Sequence, residues 1–409
     1  MDVQNLREKY PCLLSYMKEN GYSVFYIRKF KTAINHILQE INLHDWKSYE
    51  DVYRTYSKQS DSKTYLRSKR GIIGIIKRFD LDNVFPHPAG RTNFLRVSSY
   101  ELLPDEYKQV IDTYCEKAKQ IGKKDDTIYT ESHNATTFLL SLYQNGTDSL
   151  NGITEKGVLE VFFKEGKLYR GCSYKKNISA VFKTCIPFFP ENTCTRVLSC
   201  LPAFRKKRKN IQYLTTDEVS ALKAVLTDPR SSVSLRDKAI GLLALYTGLR
   251  CCDIAGLTLA DIDWADDLIR IRQQKTGASL ELPMRPIIGN AIYDYLIQER
   301  PKTVCEKVFV TETNHVTKLK STSIWNVSKK IMNTANIRMK HGDRRGFHIF
   351  RHHMAISLLE NQIPQPVISR VMGHLSPNSV EPYLSADFLH LRECALSIKC
   401  FPLREEVLP

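Results

Sequence analysis

The chain has 409 residues, too many for one hydrophobic core to keep growing, so two or three domains are expected. With 42% hydrophobic and 25% charged residues and no low-complexity tract, it has the composition of an ordinary globular protein rather than a disordered one. Sixty Lys and Arg against 44 Asp and Glu leave a formal charge of +16, which points to a polyanion: DNA, RNA or an anionic membrane surface.

The opening MDVQNLREKYPCLL lacks a basic stretch followed by an apolar one, and the most apolar runs, such as GIIGII (71–76), are far too short to span a bilayer. The expectation is a cytoplasmic, nucleoid-associated protein with no membrane partner. The 11 cysteines are scattered without a C-x-x-C pair, which fits reduced thiols better than a disulfide framework or a zinc site.

In chain order, Val24, Ile27, Phe30, Ile34, Ile37, Leu38 and Ile41 recur at three- and four-residue spacing and predict an amphipathic helix. A second helix is predicted over Lys63–Phe79, after which Pro86, Pro88 and Gly90 break the pattern. Residues 1–90 are thus expected to form a helical DNA-binding or assembly domain. A second helical domain is expected over 97–203. It starts with Pro104 as the first helical residue, followed by Tyr107, Val110, Ile111 and Tyr114 at helical spacing. Further helices are predicted over Thr127–Gln144, Thr154–Phe163 and Ser173–Lys183, the last carrying Lys175 and Lys176 as candidate DNA contacts.

A linker over 204–213 contains FRKKRKN, whose Arg205, Lys206, Lys207, Arg208 and Lys209 would ordinarily be a solvated, self-repelling run. Between two domains the same run suits a phosphate backbone. The third domain, 214–409, opens on a capping box of Thr215 and Glu218. It also holds LIRIRQQKTGASLEL (268–282), which alternates and turns at Gly277 as a hairpin. The fold class expected is mainly α, with a small antiparallel sheet in the third domain.

Five short signals in this domain stand in one order. In TGLRCCD, Gly248 ends a helix, and Arg250 precedes Asp253 by one turn. Lys275 follows at the hairpin tip, then HIFRH places His348 and Arg351 on one helical face. Gly373 suits the residue just past a helix end and aims His374 away from it. Tyr383 comes nine residues after His374. Each alone has an ordinary structural reading: Arg250 as a solvated helix residue, Lys275 as an exposed tip, the histidines as satisfied core groups. His352 and His353 are read as structural in any case.

Taken together, over roughly 214–396, the order Arg, Lys, His-x-x-Arg, Gly-His, Tyr resembles the catalytic domain of the tyrosine recombinase (phage integrase) family. The resemblance implies a helical core-binding domain over 97–203 that closes on DNA with the catalytic domain. It implies breakage and rejoining of DNA through a 3′-phosphotyrosyl bond on Tyr383, which conserves the bond energy without a cofactor. Arg250 and Arg351 would hold the phosphate by paired hydrogen bonds and stay charged. Lys275 would protonate the departing 5′-oxygen, His348 would assist the tyrosine proton, His374 would donate to a phosphate oxygen, and Asp253 would brace the Arg250 region rather than react. No cofactor or metal is called for. The implied partners are duplex DNA at specific sites, three further copies of the chain joined through a C-terminal helical tail, and an accessory DNA-bending or directionality factor. Alternative readings are a type IB topoisomerase and a DNA-binding regulator with a silent site. Pro382, directly before Tyr383, is expected to leave the segment there extended or mobile before assembly on DNA.

Overall fold

The computed structural model describes residues 3–87, 94–95, 97–204, 211–312, 316–376 and 379–384. The first helices are α1 (Gln4–Glu19), α2 (Val24–Glu40), α3 (Tyr49–Gln59) and α4 (Lys63–Asp82). Buried Asp80 ties the end of α4 to α1 and α3: its carboxylate accepts from the Leu6 backbone at 2.7 Å and from the Tyr49 hydroxyl at 2.7 Å. Helix α4 ends where Asn83 takes a left-handed backbone, short of the prolines that break the pattern.

Next come α5 (Asp105–Gln120), α6 (Asp125–Gln144), α7 (Glu155–Phe162), α8 (Cys172–Cys185) and α9 (Thr193–Ser199). Helices α5, α6 and α8 pack on one another around Tyr107, Tyr114, Phe138, Phe162 and Phe182, all buried. The α7–α8 connection holds a hairpin that the sequence reading missed, β1 (Phe163–Lys164) paired with β2 (Lys167–Leu168). All four of its strand residues lie at the surface, so no alternation of buried and exposed residues betrays them.

The last stretch contains α10 (Thr216–Thr227), α11 (Leu235–Thr247), α12 (Cys251–Gly256), strands β3 (Ile262–Asp263), β4 (Leu268–Arg272) and β5 (Ser279–Pro283), α13 (Pro286–Asp294), α14 (Ser321–Thr334), α15 (His348–Glu360), α16 (Gln365–Val371) and α17 (Glu381–Leu384). The expected capping box opens α10: Thr215 Oγ1 accepts from the Glu218 backbone at 3.3 Å, and Glu218 accepts from the Thr215 backbone at 2.9 Å. Strands β3, β4 and β5 form one antiparallel sheet, with Ile269 opposite Leu282 and Ile271 opposite Leu280, all four facing the core. Almost all of α11 is buried, with α13, α14 and α15 packed around it. Helix α11 is therefore the centre of this stretch, with α12 packed on α14, and α16 and α17 packed on α15.

By its contacts the chain divides into two compact units, Met1–Glu8 with Ala33–Arg208, and Lys9–Thr32 with Lys209–Pro409. No helix among the described residues is long and apolar enough to cross a membrane.

Candidate active site

The site is assembled from helix ends and turns around α15. Helix α11 ends at Gly248 with φ of +63°, a left-handed turn that brings Arg250 to the start of α12. One turn on, Asp253 is buried, and its Oδ1 accepts from the Gln274 backbone at 2.8 Å. It thus braces the β4–β5 turn against α12, rather than bonding Arg250 itself.

That turn carries Lys275, exposed at its tip, with Gly277 at φ +74° closing it. Just before it, Gln273 is only 1% exposed. Its Oε1 accepts from Arg250 Nη1 and, at 2.8 Å, from Thr276 Oγ1, while Nε2 donates to the Met372 carbonyl at 3.3 Å. Sequence reasoning passed over Gln273, because a glutamine beside a turn ordinarily faces water.

Arg351 is 7% exposed. Its Nη1 donates to the Gly248 carbonyl at 3.0 Å and its Nη2 to the Met372 carbonyl, and its charge acts on the Tyr383 hydroxyl. Burial and then Arg250 lower its pKa to about 10, so it remains charged at neutral pH. His348 stands at the start of α15 and presents much of its surface to solvent. A side chain at Gly346 would have its Cβ 2.7 Å from His348 Nδ1 and 3.0 Å from Trp325, so the glycine leaves room for both rings. Desolvation, then His352, Arg344 and Arg338, lower the pKa of His348 to about 4.

Helix α16 stops at Gly373, φ +60°, and His374 turns out of it toward Tyr383. The two rings lie parallel, 6.2 Å between centres and 6° between planes. His374 Nδ1 is buried without a protein partner, and desolvation, then Arg351 and Arg250, lower its pKa to about 4.

The segment before Tyr383 is not extended. Glu381–Leu384 forms the single turn α17, in which Pro382 occupies a first-turn position where a missing N–H costs nothing. The turn packs on α15, and Tyr383, 6% exposed, joins Ala355, Ile356, Leu359, Ile368, Met372 and Val380 in one apolar cluster. Burial raises its pKa, against the pull of Arg351 and Arg250.

His352 Nδ1 pairs with the Gln212 carbonyl at 2.9 Å, which suits a structural histidine, yet its ring also meets Tyr383 edge-on at 5.5 Å. His353 interacts with the Leu214 backbone. Among the described residues no group of three His, Cys, Asp or Glu is arranged to hold a metal.

Arg250, Arg351, His374 and Tyr383 thus lie together, two cations beside an imidazole and a phenol, with His348 at the head of α15 and Lys275 on the adjoining turn. Comparison with known proteins bears on what such a cluster does. The sequence pattern of the phage integrase family matches residues 212–390. The Sinorhizobium fredii protein y4gC, named as a candidate integrase/recombinase, is 35% identical over 186 residues, 45% of this chain and 94% of that one. The chain belongs to the phage integrase family.

Tyrosine recombinase XerC 2 of Ralstonia nicotianae is 30% identical to this integrase-family chain over 182 residues, 44% of this chain and 50% of its own. Two solved structures share the fold. One is the XerH site-specific recombinase on palindromic difH substrate, with TM-score 0.55, 16% identity, 71% of this chain and 96% of that one. The other is a lambda integrase (75-356) dimer on a COC' core site, with TM-score 0.51, 19% identity, 68% of this chain and 94% of that one.

The remaining sequence candidates on this integrase-family chain are the residues expected to contact DNA. Lys175, half-buried on α8, donates to the Pro202 carbonyl at 2.8 Å and so secures the end of its own unit, while Lys176 is exposed. Arg205, Lys206, Lys207, Arg208 and Lys209 lie outside the described residues, as does the tail from 385 onward.

Proposed function

We propose that this chain is a site-specific DNA recombinase of a mobile element, which cuts and rejoins duplex DNA through a 3′-phosphotyrosyl bond to Tyr383. The observation that carries the reading is the environment of that hydroxyl: Arg351 and Arg250 pull its pKa down against the burial that raises it, and the His374 ring lies parallel to its ring. A phenol with pKa ~10 is a poor nucleophile unless positive charge stabilises its anion, and this site supplies two permanent charges.

In the reaction the scissile phosphate would sit between Arg250 and Arg351, whose guanidinium groups stabilise the charge that builds on its oxygens. His374 would donate to one of those oxygens from Nε2, since it is neutral and can keep a proton there. Neutral His348 would take the phenolic proton, and Lys275 would give one to the leaving 5′-oxygen. Attack by Tyr383 breaks the bond from phosphorus to the 5′-oxygen and leaves a 3′-phosphotyrosine. Return of a 5′-hydroxyl reverses the step and frees the tyrosine.

The domain plan proposed with this is an N-terminal helical domain (1–90), a core-binding domain (97–203), a basic linker (204–213) and a catalytic domain (214–409). The working form would be a homotetramer on two DNA sites, joined through the tail, with an accessory DNA-bending or directionality factor. The test is a nicked duplex that carries the element's end, incubated with the full chain. Wild type should form an adduct that survives denaturing gels, and Tyr383→Phe should bind the same duplex but form none. An adduct with the Phe variant would transfer the reaction to another nucleophile and refute the assignment.

A further inference from the structure

Two guanidinium groups meant for one phosphate repel each other while the phosphate is absent. In this chain neutral acceptors lie between them. Gln273 Oε1 accepts from Arg250, and Gln273 Nε2 donates to the Met372 carbonyl, which also accepts from Arg351. Arg351 reaches back to the Gly248 carbonyl at 3.0 Å, and Gly248 lies two residues before Arg250. The path is a ring: Arg250, Gln273, Met372, Arg351, Gly248, and by the backbone to Arg250 again.

We propose that Gln273 is a positioning residue for strand cleavage, which holds Arg250 at a fixed place relative to Arg351 so that both face one phosphate. The proposal rests on the recombinase reading and adds to it a residue outside the Arg, Lys, His, Tyr set.

Three features carry it. First, a buried amide is costly unless its polar atoms are bonded, and both ends of this one are used, toward two elements that each bear a site residue. Second, the task needs an acceptor at one end and a donor at the other. Glutamate cannot donate, and its charge would pair with Arg250 and compete with the incoming phosphate. Third, the far wall is shaped for it. A Cβ at Gly373 would stand 2.5 Å from Gln273 Cδ and 2.7 Å from Nε2, so the glycine that turns His374 outward also makes room for the amide. Thr276, next to Lys275, bonds the same Oε1 at 2.8 Å and sets the amide's orientation.

The experiment is a double-variant cycle on single-turnover adduct formation by the full chain, using the same nicked duplex. Gln273→Met conserves volume and removes both hydrogen bonds. It should bind the duplex like wild type and melt close to it, yet form the adduct about 10²-fold more slowly, the scale for a misplaced catalytic group. In an Arg250→Ala background the same change should cost nothing further, because Gln273 acts through Arg250. Gln273→Glu should also be slow and equally silent on Arg250→Ala, and it serves if the Met variant does not fold. A Gln273 variant as fast as wild type, or losses that multiply in the double variant, would overturn the proposal while leaving the recombinase reading intact. A wild-type chain that never forms the adduct overturns both.

Discussion

His374 has its Nδ1 buried against protein and no partner for it, between a tyrosine ring and two arginines. Its folded pKa of about 4 lies below the ordinary value of 6.5, so between those values the unfolded chain binds the extra proton. Stability from this group is complete above pH 6.5 and is lost as pH falls through 4. His348, His352 and His353 are lowered as well, so all four push the same way. The melting temperature without DNA should therefore fall as pH drops from 7 to 4, and His374→Gln should flatten that fall. A slope identical in the Gln variant would mean that His374 is already solvated. Phosphate entering the site would reverse the bias, since an anion beside the ring favours its charged form.

Helix ends and turns, rather than helix bodies, carry this site, and their legibility differed for physical reasons. The β4–β5 hairpin was readable because Ile269, Ile271, Leu280 and Leu282 alternate with exposed residues on a half-buried sheet. Gly373 was readable as a helix stop because a left-handed residue so often follows a helix. The hairpin of β1 and β2 was not, for none of its four strand residues belongs to the core. The turn α17 was misjudged because Pro382 restricts Glu381 only weakly at a first-turn position. Gln273 was invisible because its defining partner, Met372, lies 99 positions away. No local pattern encodes that meeting.

The two uses of glycine make a prediction at this scale. Gly373→Ala forces a left-handed backbone on an L-residue, at roughly 1–2 kcal/mol, and drives its methyl into Gln273. Chemical denaturation should show at least that loss, together with slower cleavage. Gly71→Ala should do the opposite, gaining roughly 0.5–1 kcal/mol, because α4 is regular there and the new methyl meets open space. Equal effects at the two positions would remove the special role given to the Gly-His turn.

For the whole molecule the dominant quantity is the charge of +16. Much of it is independent of the site, and five of the cations stand consecutively at 205–209, between the core-binding and catalytic domains of the proposed plan. If they follow the phosphate backbone, changing Lys206, Lys207 and Lys209 to Gln should flatten the plot of log affinity against log salt. The change expected is up to ~0.9 for each phosphate that is no longer neutralised. Sequence preference should stay as it was, because backbone contacts position without specifying. A slope equal to wild type would return the run to a solvated connection.

The packing of α17 bears on what a lone copy of the protein does to DNA that it merely touches. Tyr383 is 6% exposed, whereas Tyr129 is 68% exposed. Acetylating or iodinating reagents should therefore modify Tyr129 readily and pass over Tyr383. On the proposed reading, the burial that turns a reagent away would also keep the phenol from DNA that the chain merely touches, and cleavage would have to begin with Tyr383 brought out to the phosphate.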